Sequence, residues 1–160
     1  MRISILAVGQ DKVAPETTLC DEYLRRVQRQ GRAIGVTAIR TENFAESRRN
    51  TNTGRKSQEA ERLMAAVQTG SRIIVLSERG KQQTSEDFAA FLRRSLDDGT
   101  SEASFLIGGP DGHDRALEDR ADLLLSLGKM TWPHRLARVM LAEQIYRAVT
   151  ILTNHPYHRP

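Results

Sequence analysis

The 160-residue chain has a single cysteine, Cys20, and no apolar run long enough to cross a bilayer. One cysteine excludes a disulfide within the chain, so a reducing, cytoplasmic compartment is expected. Catalysis by the thiol is not expected, because no neighbouring residue in the sequence would activate it. A membrane span needs about 20 apolar residues, and the opening MRISILAVGQDK lacks the cleavage site of a signal peptide. No membrane partner is therefore predicted.

Common nucleotide-binding motifs and internal repeats are absent as well. The glycine-rich segment GGPDG at 108–112 is not followed by the Lys-Ser/Thr pair of a P-loop, and its glycines lack the spacing of the dinucleotide fingerprint. The length fits one domain, spanning residues 1–160. The sequence therefore predicts a single domain without either of these two phosphate-binding loops.

The positive charge is concentrated near the carboxyl terminus. The whole chain carries a formal charge of +4, and residues 129–160 contain five basic residues against one acidic residue. Three of the four histidines lie in the same segment. This distribution indicates a surface for a polyanion or an anionic ligand, although a charge that only keeps the protein soluble would look the same.

Short apolar segments alternate with amphipathic ones along the chain. Strands are predicted at 3–8, 35–40, 72–76 and 105–108, with a further apolar run at 123–127. Helices are predicted at 15–29, at 57–68, after the capping box of Thr84 and Asp87, after Asp114, and at 135–152. The alternation predicts an α/β fold with a parallel sheet covered on both faces. General topology rules favour an unknotted, doubly wound arrangement.

Two segments depart from this simple pattern. The linker at 48–56 has four basic residues and no acidic one, which predicts a mobile loop that contacts either phosphate or only water. The final helix is apolar on nearly every side, and such a helix must be covered on every side. In so small a domain the sheet covers one face and a second copy is expected to cover the other. A symmetric homodimer is therefore predicted.

Two loops between predicted elements could bind a ligand. The segment at 108–112 follows a strand, and glycines at the carboxyl end of a parallel strand allow close approach of a ligand. Asp111 within it could be a metal ligand or a base, as in a small phosphohydrolase, or could cap the following turn or helix. The loop at 127–134 could surround an adenine with Met130 and Trp132 as apolar walls, or these side chains could pack in the core.

The carboxyl-terminal segment Asn-His-Pro-Tyr-His-Arg, residues 154–159, crowds polar side chains near a terminus, where packing explains little. Arg159 and Arg147 could bind phosphates, and Tyr157 could stack on a base. An alternative is a zinc site formed by three histidines from this part of the chain: His134, His155 and His158. The spacing of these histidines is loose and no cysteine accompanies them, so we expect no metal ion.

Three motifs, in this order and spacing, resemble the large-subunit ribosomal RNA pseudouridine N3-methyltransferase family: FLIGGPDG, LSLGKMTWPHRLARVMLAEQIYRA and TNHPYHR. This family is also called ribosomal RNA large subunit methyltransferase H and belongs to the SPOUT superfamily. The similarity runs nearly end to end and includes MRISILAVGQ, EYLRR and RIIVLSERGK. It implies a parallel-sheet α/β fold with a carboxyl-terminal trefoil knot, an obligate homodimer and S-adenosylmethionine as the cofactor.

The resemblance also implies the site residues and the substrate. Leu76 is expected to end the third strand, and the cofactor-binding residues would be Leu76, Gly108, Gly109, Leu127, Gly128, Lys129, Met130, Thr131 and Trp132. Family members often have Ser or Ala in place of Gly128, and Phe or Leu in place of Trp132. The implied reaction methylates N3 of a pseudouridine in helix 69 of 23S ribosomal RNA, within the assembled 70S ribosome, rather than DNA.

No residue of the sequence stands out as the general base of this reaction. Two histidines have suitable ordinary pKa values, whereas the tyrosine and arginines of the same region are suited to contacting a base or phosphates. The predicted catalytic and substrate-contacting residues are His158, Tyr157, Arg159, His134 and Arg147, with Arg135 behind them. The alternative function is a ribosome- or RNA-binding module of the same fold that lacks catalysis.

Overall fold

The computed structural model describes residues 1–10 and 13–159. In these residues five strands form one parallel sheet in the order β2-β1-β4-β3-β5. The strands are β1 (Arg2–Val8), β2 (Ala38–Phe44), β3 (Arg72–Gln82), β4 (Glu102–Ile107) and β5 (Leu123–Ser126). The α-helices are α1 (Pro15–Gln30), α2 (Asn52–Ala66), α3 (Ser85–Asp97), α4 (Arg115–Glu118) and α5 (His134–Leu152), and a 3-10 turn (Gly31–Ile34) follows α1.

The predicted α/β fold with a parallel sheet is thereby confirmed. The trefoil knot stays a prediction, because the order of strands alone does not define how the chain is threaded.

The core lies on both faces of the sheet. One apolar cluster joins alternate residues of β1 and β4, such as Ile3 and Phe105, to α1, α3 and α5. The other joins the opposite residues, such as Leu6 and Leu106, to α2 and α4. β4 is buried along its whole length because it lies between neighbours in the sheet and under helices on both sides. Buried Arg138 of α5 donates from Nη2 to the Gly9 carbonyl at 2.9 Å, which attaches this helix to the end of β1.

Two strands differ from their predicted bounds. The strand predicted at 35–40 begins only at Ala38, because Gly35 adopts a left-handed φ of 92° and turns the chain before it. β4 begins three residues earlier than predicted, at Glu102, whose carboxylate is buried. That carboxylate accepts a hydrogen bond from Ser4 at 2.9 Å and forms an ion pair with Arg2 at 3.3 Å. These contacts join segments far apart in the sequence, so local periodicity could not reveal them.

The prediction of a mobile loop at 48–56 was wrong over its second half. α2 begins at Asn52, five residues before its predicted start, and ends at Ala66. The hydroxyl of Thr51 caps it by accepting a hydrogen bond from the Gly54 amide at 3.1 Å. A threonine cap of this kind stabilises a helix start even where the following residues show no apolar face.

β3 extends well past Leu76, where the resemblance placed its end. Regular pairing with β4 stops at Leu76, and after an irregular segment Lys81 and Gln82 pair with β5. At Gly80 the two backbones nearly touch: a Cβ there would lie 2.6 Å from the carbonyl carbon of Leu125. Only glycine fits this approach, so Gly80 allows β3 to return to the sheet beside β5.

We predict that Gly80→Ala destabilises the protein by roughly 3 kcal/mol or more, because an added methyl would force the β3 and β5 backbones apart. Chemical denaturation measures the free energy of unfolding. The control is Gly70→Ala, at a site with a left-handed φ of 79° but open space around it, where backbone strain alone costs about 1 kcal/mol. Equal losses in the two variants would contradict the steric argument.

Candidate functional site

A cavity of about 370 Å³ opens at the carboxyl ends of β3, β4 and β5. We call it the glycine-loop cavity, because residues 108–112 form one wall; the irregular segment of β3 and the loop that follows β5 form the others. It is lined by eight of the nine residues predicted to bind the cofactor: Leu76, Gly108, Gly109, Leu127, Gly128, Met130, Thr131 and Trp132. The ninth, Lys129, is exposed and is not among its lining residues.

Packing leaves little room for a side chain at the first two glycines of segment 108–112. A Cβ on Gly109 would lie 2.9 Å from Glu59 Oε2 and 3.1 Å from Val8, and one on Gly108 would lie 3.2 Å from the ring of His113. A side chain at either position would therefore press against neighbouring atoms of the protein. Close packing of the segment onto α2 and β1 explains these glycines independently of any ligand.

Asp111 anchors this segment to the start of α2. Its carboxylate accepts hydrogen bonds from Arg55 Nε at 2.5 Å and from Asn52 Nδ2 at 2.7 Å. The Arg55 guanidinium lowers the pKa of Asp111, so the carboxylate stays ionised. The cap of α4 is instead Asp114, whose Oδ1 accepts from the Ala116 amide. The expectation that Asp111 caps the following element was therefore wrong, and its ion pair leaves the phosphohydrolase hypothesis without support.

His113, which the sequence analysis missed, lies in the wall of the cavity and is only 6% exposed. Its Nε2 atom is buried and has no hydrogen-bond partner among the described residues. Burial lowers the pKa of His113 to about 4, and the nearby charge of Glu118 only partly opposes this effect. The imidazole is therefore neutral at physiological pH. A histidine directly after a glycine-rich turn was the available signal.

Glu118 is a second buried polar group that the sequence analysis missed. It is 5% exposed and lines the same cavity. Its carboxylate accepts hydrogen bonds from Ser77 at 2.7 Å and from Arg79 at 2.6 Å, both in the irregular segment of β3. The negative charge is thus paired, as burial of a carboxylate requires.

The loop at 127–132 forms the cavity wall that follows β5. Gly128 has a φ of 122°, a conformation that side-chain-bearing residues rarely adopt, so this departure from the family pattern has a backbone reason. Ser126 Oγ donates to the Gly128 carbonyl at 3.0 Å and accepts from its amide at 3.2 Å. Met130 is 70% exposed and Trp132 38% exposed, which excludes the alternative that they pack in the core.

Three of the predicted catalytic residues cluster around Glu143 of α5. Arg147 Nη2 and the Tyr157 hydroxyl donate to the same carboxylate oxygen at 2.5 and 2.9 Å. His158 lies 3.5 Å from Arg147, and its Nε2 is 2.8 Å from a carboxylate oxygen of Glu86. Burial, followed by hydrogen bonds to Tyr23 and Glu143, raises the pKa of Tyr157, so its hydroxyl stays protonated and acts as a donor.

The other predicted catalytic residues lie apart from this cluster. His134 is the first residue of α5 and lines the glycine-loop cavity, while Arg159 is exposed at the end of the described chain. His155 is exposed and accepts a hydrogen bond from the Tyr157 amide. Within residues 1–10 and 13–159 no three metal-binding side chains come together. The structure therefore contradicts the alternative of a zinc site made of His134, His155 and His158.

A larger cavity of about 600 Å³ lies between α1, α3 and α5; we call it the helix cavity. Glu143 and Arg147 line it, and it shares Leu125, Leu127 and Gly128 with the glycine-loop cavity. Large apolar side chains remain exposed on the helices themselves: Leu19 of α1 at 46% and Leu136 of α5 at 40%. One flank of α5 is therefore uncovered within a single chain.

In the described part of the chain, no helix is both long and apolar enough to cross a bilayer.

Comparison with known proteins shows similarity along the whole chain. The family model described as "Predicted SPOUT methyltransferase" matches residues 1–158. Proteins named ribosomal RNA large subunit methyltransferase H are 48% identical in Brucella anthropi and 50% identical in Rhizobium rhizogenes, each over 99% of both chains. The SpoU methyltransferase AviRb of Streptomyces viridochromogenes, solved with AdoMet, is 14% identical with a TM-score of 0.43. That match covers 96% of this chain and 61% of AviRb.

We predict that the buried imidazole of His113 makes stability depend on pH. Because its pKa is about 4 in the folded chain and near 6.5 when unfolded, the unfolded state takes up a proton first as the pH falls. The protein should therefore lose about 2 kcal/mol of stability between pH 7.5 and pH 5 from this group alone. Denaturant titrations at several pH values measure the loss.

His113→Leu should flatten this dependence, whatever its effect on stability at pH 7.5. The control is His155→Leu, which removes an exposed histidine and should leave the pH dependence as in the parent. If His113→Leu and the parent lost stability in parallel above pH 5, the neutral buried imidazole would be disproved.

Proposed function

Because the chain belongs to the ribosomal RNA large subunit methyltransferase H family of SPOUT methyltransferases, we propose that it methylates 23S ribosomal RNA with S-adenosylmethionine. The proposed target is N3 of a pseudouridine in helix 69 of the assembled 70S ribosome, which implies a cytoplasmic location. The observation that carries the proposal is the glycine-loop cavity, which gathers residues of RIIVLSERGK, FLIGGPDG and LSLGKMTWPHRLARVMLAEQIYRA at one sheet edge.

The residues of this cavity fit the proposed cofactor. A volume of about 370 Å³ lies in the range of small-molecule sites. The wall offers backbone groups of the loop at 127–132 and the apolar side chains of Met130 and Trp132, which suit an adenine ring. The unpartnered Nε2 of His113 is a buried polar atom without a protein partner. The cofactor, when bound, supplies a methyl group on a positively charged sulfur.

The chain's own residues would orient the acceptor base and take up its N3 proton. Positioning two bound reactants can supply roughly 7–11 kcal/mol of the barrier. We assign the proton to His134, because it lines the glycine-loop cavity whereas His158 is engaged with Glu86. Tyr157 and Arg147 would contact the RNA as hydrogen-bond donors, since a protonated hydroxyl and a guanidinium both donate.

A homodimer forms part of the proposal. Apolar surface remains exposed beside the helix cavity. It consists of the uncovered flank of α5, where Leu136 is 40% exposed, and of Leu19 of α1, which is 46% exposed. A second copy packed there would remove this surface from water, which is the usual source of stability in such interfaces.

We predict that Leu136→Asp dissociates the dimer, because a charge at the covered flank would be buried without a partner. Sedimentation at micromolar concentration should show a parent dimer, and the variant's dissociation constant should rise at least about a hundredfold. Ala65→Asp adds the same charge at an exposed position of α2, on the other face of the sheet, and should remain dimeric. A monomeric parent at this concentration would refute the dimer.

The reaction itself is tested by transfer of tritiated methyl groups from S-adenosylmethionine to 70S ribosomes that lack the modification. We expect label on 70S ribosomes, at N3 of a helix 69 pseudouridine, and none on naked 23S RNA. Tyr157→Ala should bind the cofactor within about twofold of the parent, because Tyr157 does not line the glycine-loop cavity. It should lose methylation by roughly a hundredfold, because its contact with the RNA is removed. His155→Ala, in the same segment, should retain activity.

Each negative result has a distinct meaning. Calorimetry that detected no cofactor binding at millimolar concentration would overturn the methyltransferase. Cofactor binding without label on either substrate would favour the alternative of a binding module without catalysis. Equal methylation by Tyr157→Ala and the parent would refute the role of this tyrosine alone.

A further inference from the structure

A patch of positive charge borders the glycine-loop cavity, and the proposed reaction described above does not use it. It consists of Arg48, Arg49 and Lys56, which we call the basic patch. Arg48 and Arg49 are exposed just before α2, and Lys56 lines the cavity itself. In the part of the chain that the structure describes, these three side chains form no ion pair with an acidic residue.

Two acidic groups near the patch are already engaged. Asp111 is paired with Arg55, and buried Glu59 accepts a hydrogen bond from the Ser47 amide at 2.8 Å. The first turn of α2 contains no acidic residue, so the positive end of the helix dipole adds to the field of the patch. Two exposed acids lie in this region, Glu46 before the patch and Glu78 in the wall of the cavity, against three basic side chains. The patch is therefore a local surplus of positive charge.

Hydrogen bonds fix the backbone that carries the two arginines. The Arg49 amide donates to Ser47 Oγ at 3.3 Å, and the Arg49 carbonyl accepts from Arg55 Nη1 at 3.2 Å. Because Arg55 also binds Asp111 of segment 108–112, a continuous chain of contacts connects the patch to the wall of the cavity. The charges are thus presented at a defined place beside the cavity.

We propose that the basic patch binds backbone phosphates of the RNA whose base enters the glycine-loop cavity. The inference rests on the proposed function, since a base can reach a cofactor there only if its neighbouring phosphates lie at the rim. Single-stranded RNA that presents an unstacked base carries its phosphates beside it, and exposed arginines are suited to bind them without reading sequence. This assigns a role to the basic linker of the sequence.

The test compares Arg48→Gln/Arg49→Gln with the parent in steady-state methylation of 70S ribosomes and in ribosome binding at several salt concentrations. The KM for ribosomes should rise about tenfold, while kcat and the affinity for S-adenosylmethionine stay unchanged. The salt dependence of ribosome binding should weaken by a log–log slope of about 1.5, as expected for two lost phosphate contacts. Lys56 is left intact because it lines the cavity.

The matched control is Arg29→Gln/Arg32→Gln, which removes the same charge from exposed positions. Arg29 lies in the last turn of α1 and Arg32 in the 3-10 turn that follows it. The amino terminus, just before β1, donates to the Gly35 carbonyl beside this turn at 2.7 Å. The control residues therefore lie near the amino ends of the strands, opposite the cavity. The control should change the KM by less than about twofold. Sedimentation of both double variants should match the parent, and dissociation of the patch variant would instead assign the patch to the contact between copies.

The outcomes separate this inference from the proposed function. Suppose that the parent methylates 70S ribosomes and that the two double variants have equal KM values and salt slopes. Phosphate binding by the basic patch would then be overturned, while the proposed function would stand. A parent that does not methylate ribosomes would overturn the function. In that case, unchanged ribosome binding by the patch variant would also overturn the proposed phosphate binding by the patch, and weakened binding would support it.

Discussion

The close approach of two backbones at Gly80 is the constraint on which the cavity depends. β3 leaves its partner β4 at Leu76 and can return beside β5 only because no side chain separates Gly80 from the backbone of Leu125. The irregular segment between these pairings carries Ser77 and Arg79 to the buried carboxylate of Glu118. β5 in turn positions the loop at 127–132. Two walls of the cavity therefore depend on one position without a side chain.

The remaining wall depends on contacts between segments far apart in the sequence. Asp111 binds Arg55 across 56 residues, and Gly109 packs against Glu59, so segment 108–112 is attached to α2 twice. In a parallel sheet the loops at the carboxyl ends come from separate crossover units and have no short connection to one another. Ion pairs and close packing between loops thus supply the order that the chain connectivity does not.

Elements whose signal is local were predicted well from the sequence. The apolar run of β1, the capping box of α3 and the apolar α5 each indicated an element to within a residue or two, because burial and caps act over a few residues. β2, α2 and the extension of β3 were misplaced. The starts of β2 and α2 follow from the turn at Gly35 and the cap at Thr51, which apolar periodicity does not reveal. The extension of β3 follows from the approach at Gly80, which is a tertiary contact.

The sequence predicted the loops of the site but not the contacts of its polar side chains. The family motifs located the loops, and eight of nine residues assigned to the cofactor line one cavity. The partners of the polar side chains could not be predicted. Glu143 lies within a family motif and Glu86 within the capping box of α3, but neither pattern indicates that these carboxylates bind Tyr157 and His158. His113 is buried by packing against Gly108, and no pattern in the sequence indicates that contact.

These contacts also limit which side chains of the cavity are available for proton transfer. Asp111 is ionised and bound by Arg55, Glu118 is bound by Ser77 and Arg79, and burial lowers the pKa of His113 so far that its imidazole is a weak base. Residue types that suggest catalysis are here part of the scaffold. Among the residues predicted to be catalytic, His134 alone lines this cavity, so the proposed chemistry depends on positioning the acceptor base beside it.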